Sequence, residues 1–91
     1  MMARFVFAFR TRQGRIPSAS EEAEWTQWFQ ELDGAVAEYG NRVGASHQLG
    51  ELGTLGGYIV VDAASLGAAV ELARGCPGLR HEGGIEVGEI V

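Results

Sequence analysis

The sequence predicts an α+β domain of order β-α-β-β-α-β, and three observations carry that prediction. The apolar run "FVFAF" at 5–9 is too short for a helix before the polar "RTRQGR" follows it. Two serines, Ser18 and Ser65, each stand at the head of an apolar stripe with three- and four-residue spacing. Three further short segments, near 42–49, 58–63 and 83–91, alternate in polarity or are continuously apolar, as strands are.

Each element follows from its residues. "FVFAF" forms the first strand, and the loop "QGRIPSAS" leads into the first helix. Ser18 stands three residues before Glu21, the capping-box spacing in which each side chain satisfies the other's backbone donor. Glu21, Glu22 and Glu24 place negative charge at the positive end of that helix. Trp25, Trp28, Phe29, Leu32, Val36 and Tyr39 then recur as one stripe, predicting a helix that ends near Gly40. In "RVGASHQL" at 42–49, Val43, Ala45, His47 and Leu49 share one face, which predicts a half-buried second strand. "GELGTLGG" makes the turn and "YIVVDA" the third strand. Ser65 caps a helix with Leu66, Ala69, Val70 and Ala73 as its stripe, which Gly75 and Pro77 terminate. "GGIEVGEIV" closes the chain as an alternating strand.

Strands one and three are apolar on both faces and belong in the centre, while two and four alternate and belong at the edges. The expected architecture is a four-stranded antiparallel sheet of order 4-1-3-2 with both helices on one face, a ferredoxin-like fold. The chain forms one domain over 1–91, without repeats or linkers. Because the open face is also apolar at its centre, a second copy packed sheet to sheet is expected to cover it, giving a two-fold homodimer.

Composition removes several function classes. The formal charge is -5 and every basic residue is arginine, so lysine Schiff bases, a P-loop lysine and a lysine general base are all excluded. An acidic balance argues against nucleic-acid binding, which draws affinity from neutralised phosphates. The third strand also lacks the basic residue and aromatic spacing of an RNA-recognition motif. No apolar run approaches a membrane span, the start lacks a signal-peptide pattern, and one cysteine builds no disulfide framework, so a cytoplasmic protein is expected. Two histidines and one cysteine without paired spacing give no metal signal, and "GTLGG" precedes a strand where a dinucleotide loop needs a helix. No cofactor is expected.

The stretch "LGGYIVVDAASLGAAVELARGCPGLRHEGGIEVGEIV" resembles the YCII-related family, also called the DGPF or YciI-like domain. The glycine pair before an aromatic strand, the "SL" helix start, "CP" after the helix and "GGIEV" in the last strand carry the resemblance, over Leu55 to Val91. It implies a dimeric α+β barrel, with some members acting as small enzymes such as dehalogenases or lyases and others linked to regulation. Many members carry an Asp-Gly-Pro-Phe element between strands two and three. Here that connection is "GELGTLGG", which contains no proline. The enzyme-like branch uses a histidine in the first helix and an aspartate just before the proline after the second helix. This first helix has no histidine, and Cys76 precedes Pro77, so neither residue carries over.

Among candidate site residues, His47 comes first, because imidazole titrates near neutrality and can act as acid, base or anion anchor. Arg10 continues a central strand and can hold a carboxylate or phosphate bidentately; Arg12 and Arg15 lie further along the loop. Tyr58 opens the third strand with a hydroxyl to offer a ligand. Trp25 and Trp28 read first as a core stripe and second as the walls of an aromatic pocket, Cys76 as a small hydrophobe at a helix end, and His81 as a solvent-exposed loop residue. The expected function is a dimeric protein binding a small anionic or aromatic metabolite. If catalytic, its chemistry is cofactor-free acid–base work of lyase or isomerase type, with His47 as base and Arg10 as anchor. The alternative is a non-catalytic interaction or regulatory module.

Overall fold

A computed structural model describes residues 2–12, 15–50 and 52–91. The strands are β1 (Ala3–Thr11), β2 (Val36–Arg42), β3 (Thr54–Ala63) and β4 (Gly84–Glu89); the helices are α1 (Ala19–Leu32) and α2 (Leu66–Ala73). All pairings are antiparallel in the order β2-β3-β1-β4, the expected arrangement with β1 and β3 central. Gln13 and Gly14 of the expected first loop, and Glu51 of the expected turn, lie outside the described residues.

The core lies between one sheet face and both helices. Phe5, Phe7, Ile59, Val61 and Ala63 from the sheet meet Trp28 and Leu32 of α1 and Ala69 and Ala73 of α2, with Cys76 at the end. Phe7 and Trp28 stack with ring centroids 6.5 Å apart. Fully burying a side chain such as Phe stabilises by about 1.5–3 kcal/mol, so this contiguous cluster dominates the energetics. The opposite face carries Val6, Ala8, Tyr58 and Val60 in cross-strand register, with Arg4–Asp62 (3.3 Å) and Arg10–Glu86 (3.4 Å) pairs towards its ends. No helix is long and apolar enough to cross a membrane.

Three element boundaries differ from expectation. Helix α1 stops at Leu32 and not near Gly40; a 3-10 turn over Asp33–Ala35 follows, and Val36 already begins β2. Asp and Gly are weak helix formers, and β-branched Val36 gains more by pairing with Val61 in the sheet. Tyr39 belongs to β2 yet packs edge-on against Phe29 with centroids 6.4 Å apart. Its place on the helical stripe was therefore a tertiary contact that mimics helical spacing.

The second strand consequently runs 36–42 and not 42–49. Only the Val43 amide extends the pairing, donating to the Gly56 carbonyl at 3.0 Å. Residues 44–50 lie outside regular structure and are exposed, His47 among them. Strand β3 starts at Thr54, where a turn was expected, because Thr54, Leu55 and Gly57 pair through the backbone with Thr11, Arg10 and Phe9. Backbone pairing needs no side chain, so glycine did not end the strand.

Candidate ligand cleft

Both caps form as their residues dictate, Ser18 accepting from the Glu21 amide at 3.2 Å and Ser65 from the Ala68 amide at 3.1 Å. The reciprocal half of the first capping box does not form. The Glu21 carboxylate turns away from the cap, taking both guanidinium nitrogens of Arg15 and the Trp25 indole N–H at 3.0 Å. Glu21 is only 2% exposed, and a buried carboxylate has to be paired and hydrogen-bonded to persist as an ion. The Arg15 hydrogen bond holds its pKa below the usual carboxylate range; burial opposes this, and the Trp25 bond reinforces it. Arg15 is raised by the same contact.

This clamp orients Trp25 at one wall of a cleft of about 720 Å³, bordered by the first half of α1, the end of β2, and β3. Its apolar lining is aromatic: Phe9 meets Trp25 edge-on at 5.1 Å, Trp25 and Phe29 lie 5.7 Å apart, and Tyr39 closes the row beside Phe29. The Tyr39 hydroxyl donates to Asp33, which raises the phenol's pKa.

The register of β2 determines which polar side chains meet those rings. Val36 pairs with inward-facing Val61, but Glu38 pairs with Val60 and Asn41 with Tyr58, so one extra residue of β2 is accommodated in each interval. Each bulge reverses the alternation of the strand. The second contains Gly40 at φ +53°, where an added Cβ would lie 2.1 Å from the Tyr58 carbonyl oxygen. After it, Arg42 pairs with Gly57, which pairs with Phe9 on the helix-covered face. Arg42 thus stands in the same cross-strand row as Phe9, beside a glycine that contributes no side chain, and it lines the cleft.

A second charged group lies behind this wall. The His81 Nε2 is 3.2 Å and 3.4 Å from the two Glu24 oxygens, its Nδ1 is 3.8 Å from Glu21, and Arg80 bonds Glu24 at 2.7 Å. The Arg80 bond, chiefly, holds Glu24 below its ordinary pKa; desolvation opposes it, and His81 adds to the lowering. His81 was expected in solvent; its side chain is instead 28% exposed and packed on α1.

Of the expected site residues, Arg10 and Tyr58 border the cleft and His47 does not. His47 is exposed and lies in the β2–β3 connection, so its expected place on a half-buried strand is corrected. The Arg10 guanidinium reaches Glu86 at 3.4 Å and the Gly53 carbonyl at 3.3 Å. Tyr58 pairs with Asn41 on the face without helices and accepts from its side-chain amide at 3.3 Å. Sequence reasoning passed over Arg42, Glu21 and His81 as site residues, and it ranked the core reading of Trp25 above the aromatic-pocket one; Trp25 packs against the core and also lines the cleft. An isolated glycine within a strand, here Gly40, was the one local sign of a bulge. Among the described residues, no three His, Cys, Asp or Glu side chains gather as a metal site. Cys76 is fully buried, which pushes its thiol pKa up to about 11.

Fold and cleft together define a small ferredoxin-like α+β domain with an aromatic-walled cavity beside its first helix. The family model of the YCII-related domain matches residues 5–91, nearly the whole chain. The chain belongs to the YCII-related family. No curated protein and no solved structure matches it.

Proposed function

We propose that this YCII-related domain binds a small molecule with a flat, apolar body in the cleft beside α1. The observation that carries the reading is the aromatic lining of Phe9, Trp25, Phe29 and Tyr39 around a cavity of about 720 Å³. Cavities of roughly 300–1,000 Å³ with apolar walls and a few fixed polar groups are typical of small-molecule sites. The reading is one of binding. Glu21 is committed to Arg15 and Trp25, and the Tyr39 hydroxyl to Asp33, so neither offers a free acid or base. A cofactor-free lyase or isomerase built on His47 and Arg10 would require His47 to swing in from its exposed connection.

Tryptophan fluorescence tests the reading directly, since Trp25 lines the cleft while Trp28 is buried in the core. A flat aromatic ligand quenches the wild type, and the quench largely disappears in Trp25→Phe. Stabilisation accompanies it: a ligand at 100 times its Kd adds about 2.7 kcal/mol to the folded state. Full quenching in Trp25→Phe would place the ligand elsewhere and remove the proposal.

The working form in this reading is a cytoplasmic homodimer, with the second copy covering Val6, Ala8 and Val60. Charge pairs towards both ends of that face, Arg4–Asp62 and Arg10–Glu86, give each copy both signs to offer the other. Light scattering on wild type and Val6→Lys tests it: a dimer and a folded monomer, respectively, are expected. A monomeric wild type at high micromolar concentration refutes the assembly.

A further inference from the structure

Resting on the cleft reading above, we propose that Arg42 is the anion anchor of the cleft and that the ligand is therefore a planar aromatic monocarboxylate. Three observations support this assignment. The first is direction. The bulge at Gly40 undoes the reversal made by the first bulge and so returns Arg42 to Val36's side of the strand, in the cross-strand row of Gly57 and Phe9. With a regular β2 beyond Glu38, Arg42 would share the outer face with Glu38, away from the rings. The Gly40 conformation is what makes the difference.

The second is commitment. The chain has seven basic residues, all arginine. Arg4, Arg10, Arg12, Arg15, Arg74 and Arg80 each have a carboxylate partner within 3.4 Å. Arg42 has none among the described residues. In a chain of net charge -5, a guanidinium with no carboxylate beside it among the described residues lines the cavity.

The third is the charge distribution around the ligand volume. Glu21 and Glu22 line the α1 side, and Arg15 neutralises Glu21 alone. Positive charge is available on the β2 side and negative charge on the other. One carboxylate, held by the planar fork of Arg42 while its ring lies among Trp25, Phe29 and Tyr39, matches that distribution. A dianionic phosphate would bring its second charge into a cavity edged by Glu22, which has no cationic partner among the described residues, and a cationic ring would meet Arg42.

Two isosteric probes test the assignment: 2-naphthoate and the neutral 2-naphthamide, titrated by tryptophan fluorescence. In the wild type the carboxylate binds at least tenfold more tightly than the amide. In Arg42→Gln that preference disappears while the amide affinity is unchanged, which shows that the variant is folded and the cleft intact. Arg42→Lys keeps part of the preference, and Arg74→Gln, which changes an exposed arginine outside the cleft, keeps all of it. Equal affinities in the wild type, or a preference that survives Arg42→Gln, overturns the anchor but leaves the cleft as a binding site. Failure of both probes to bind the wild type overturns the cleft reading, and the anchor with it. A naphthyl phosphate that binds more tightly than the carboxylate overturns the monocarboxylate assignment.

Discussion

Replacing Gly40 with alanine probes the feature on which the geometry of the cleft depends. Gly40 has φ +53°, a backbone conformation that costs an L-residue about 1 kcal/mol or more. The added Cβ would lie 2.1 Å from the Tyr58 carbonyl oxygen and 2.8 Å from two carbons of its ring. The oxygen belongs to the neighbouring strand, so relief requires β2 and β3 to separate locally; overpacking of this kind costs about 1–3 kcal/mol. Together these costs come to roughly 3 kcal/mol, which for a domain of this size lowers Tm by about 12–24 °C. Gly34→Ala is the control, because a Cβ there meets nothing within 4 Å and φ is not positive. It should stay within about 0.5 kcal/mol of wild type. Thermal melts followed by circular dichroism measure both. If Gly40→Ala melts as close to wild type as Gly34→Ala does, the second bulge of β2 does not depend on the Gly40 conformation, and the account of how Arg42 regains the row of Phe9 after Glu38 fails.

Two further outcomes follow from the titrating groups. Glu21 and Glu24 both have pKa values below the ordinary carboxylate value, so the stability they contribute is complete above the unfolded-chain value and is lost as pH falls through their lower folded-state values. Tm as a function of pH should therefore turn down in acid, and Glu21→Gln should be less stable near neutrality with a shallower acid slope. An unchanged slope would mean that Glu21 titrates alike in folded and unfolded chains. Cys76, fully buried with a thiol pKa of about 11, should resist iodoacetamide at pH 8 until the protein is unfolded. Alkylation of the native protein at the rate of a free thiol would contradict the packing at the end of α2.

The legible parts of this protein were those governed by local chemistry. Ser18 and Ser65 begin helices because a hydroxyl three residues upstream satisfies an amide that the helix leaves open. Phe5, Phe7, Ile59 and Val61 form the centre of the sheet because strands apolar on both faces cannot sit at an edge exposed to water. The site was less legible. Ser18 and Glu21 have capping-box spacing, yet Arg15 and Trp25 compete successfully for the carboxylate, and a buried ion gains more from them than from one backbone donor. His81 contacts Glu24 across 57 residues of chain, a separation at which spacing carries no information.

The sequence by itself determined the element order, the sheet order, the caps and the family, since all of these arise from periodicities and short motifs within single segments. Only the tertiary structure decided where α1 yields to β2 and which way Arg42 faces. Val36 and Tyr39 satisfy a helical period and a strand equally well; pairing with Val61 and packing on Phe29 select the strand. A bulge exists only relative to a partner strand, so the first extra residue of β2, and the second that restores Arg42 to the row of Phe9, have no meaning until β2 lies against β3.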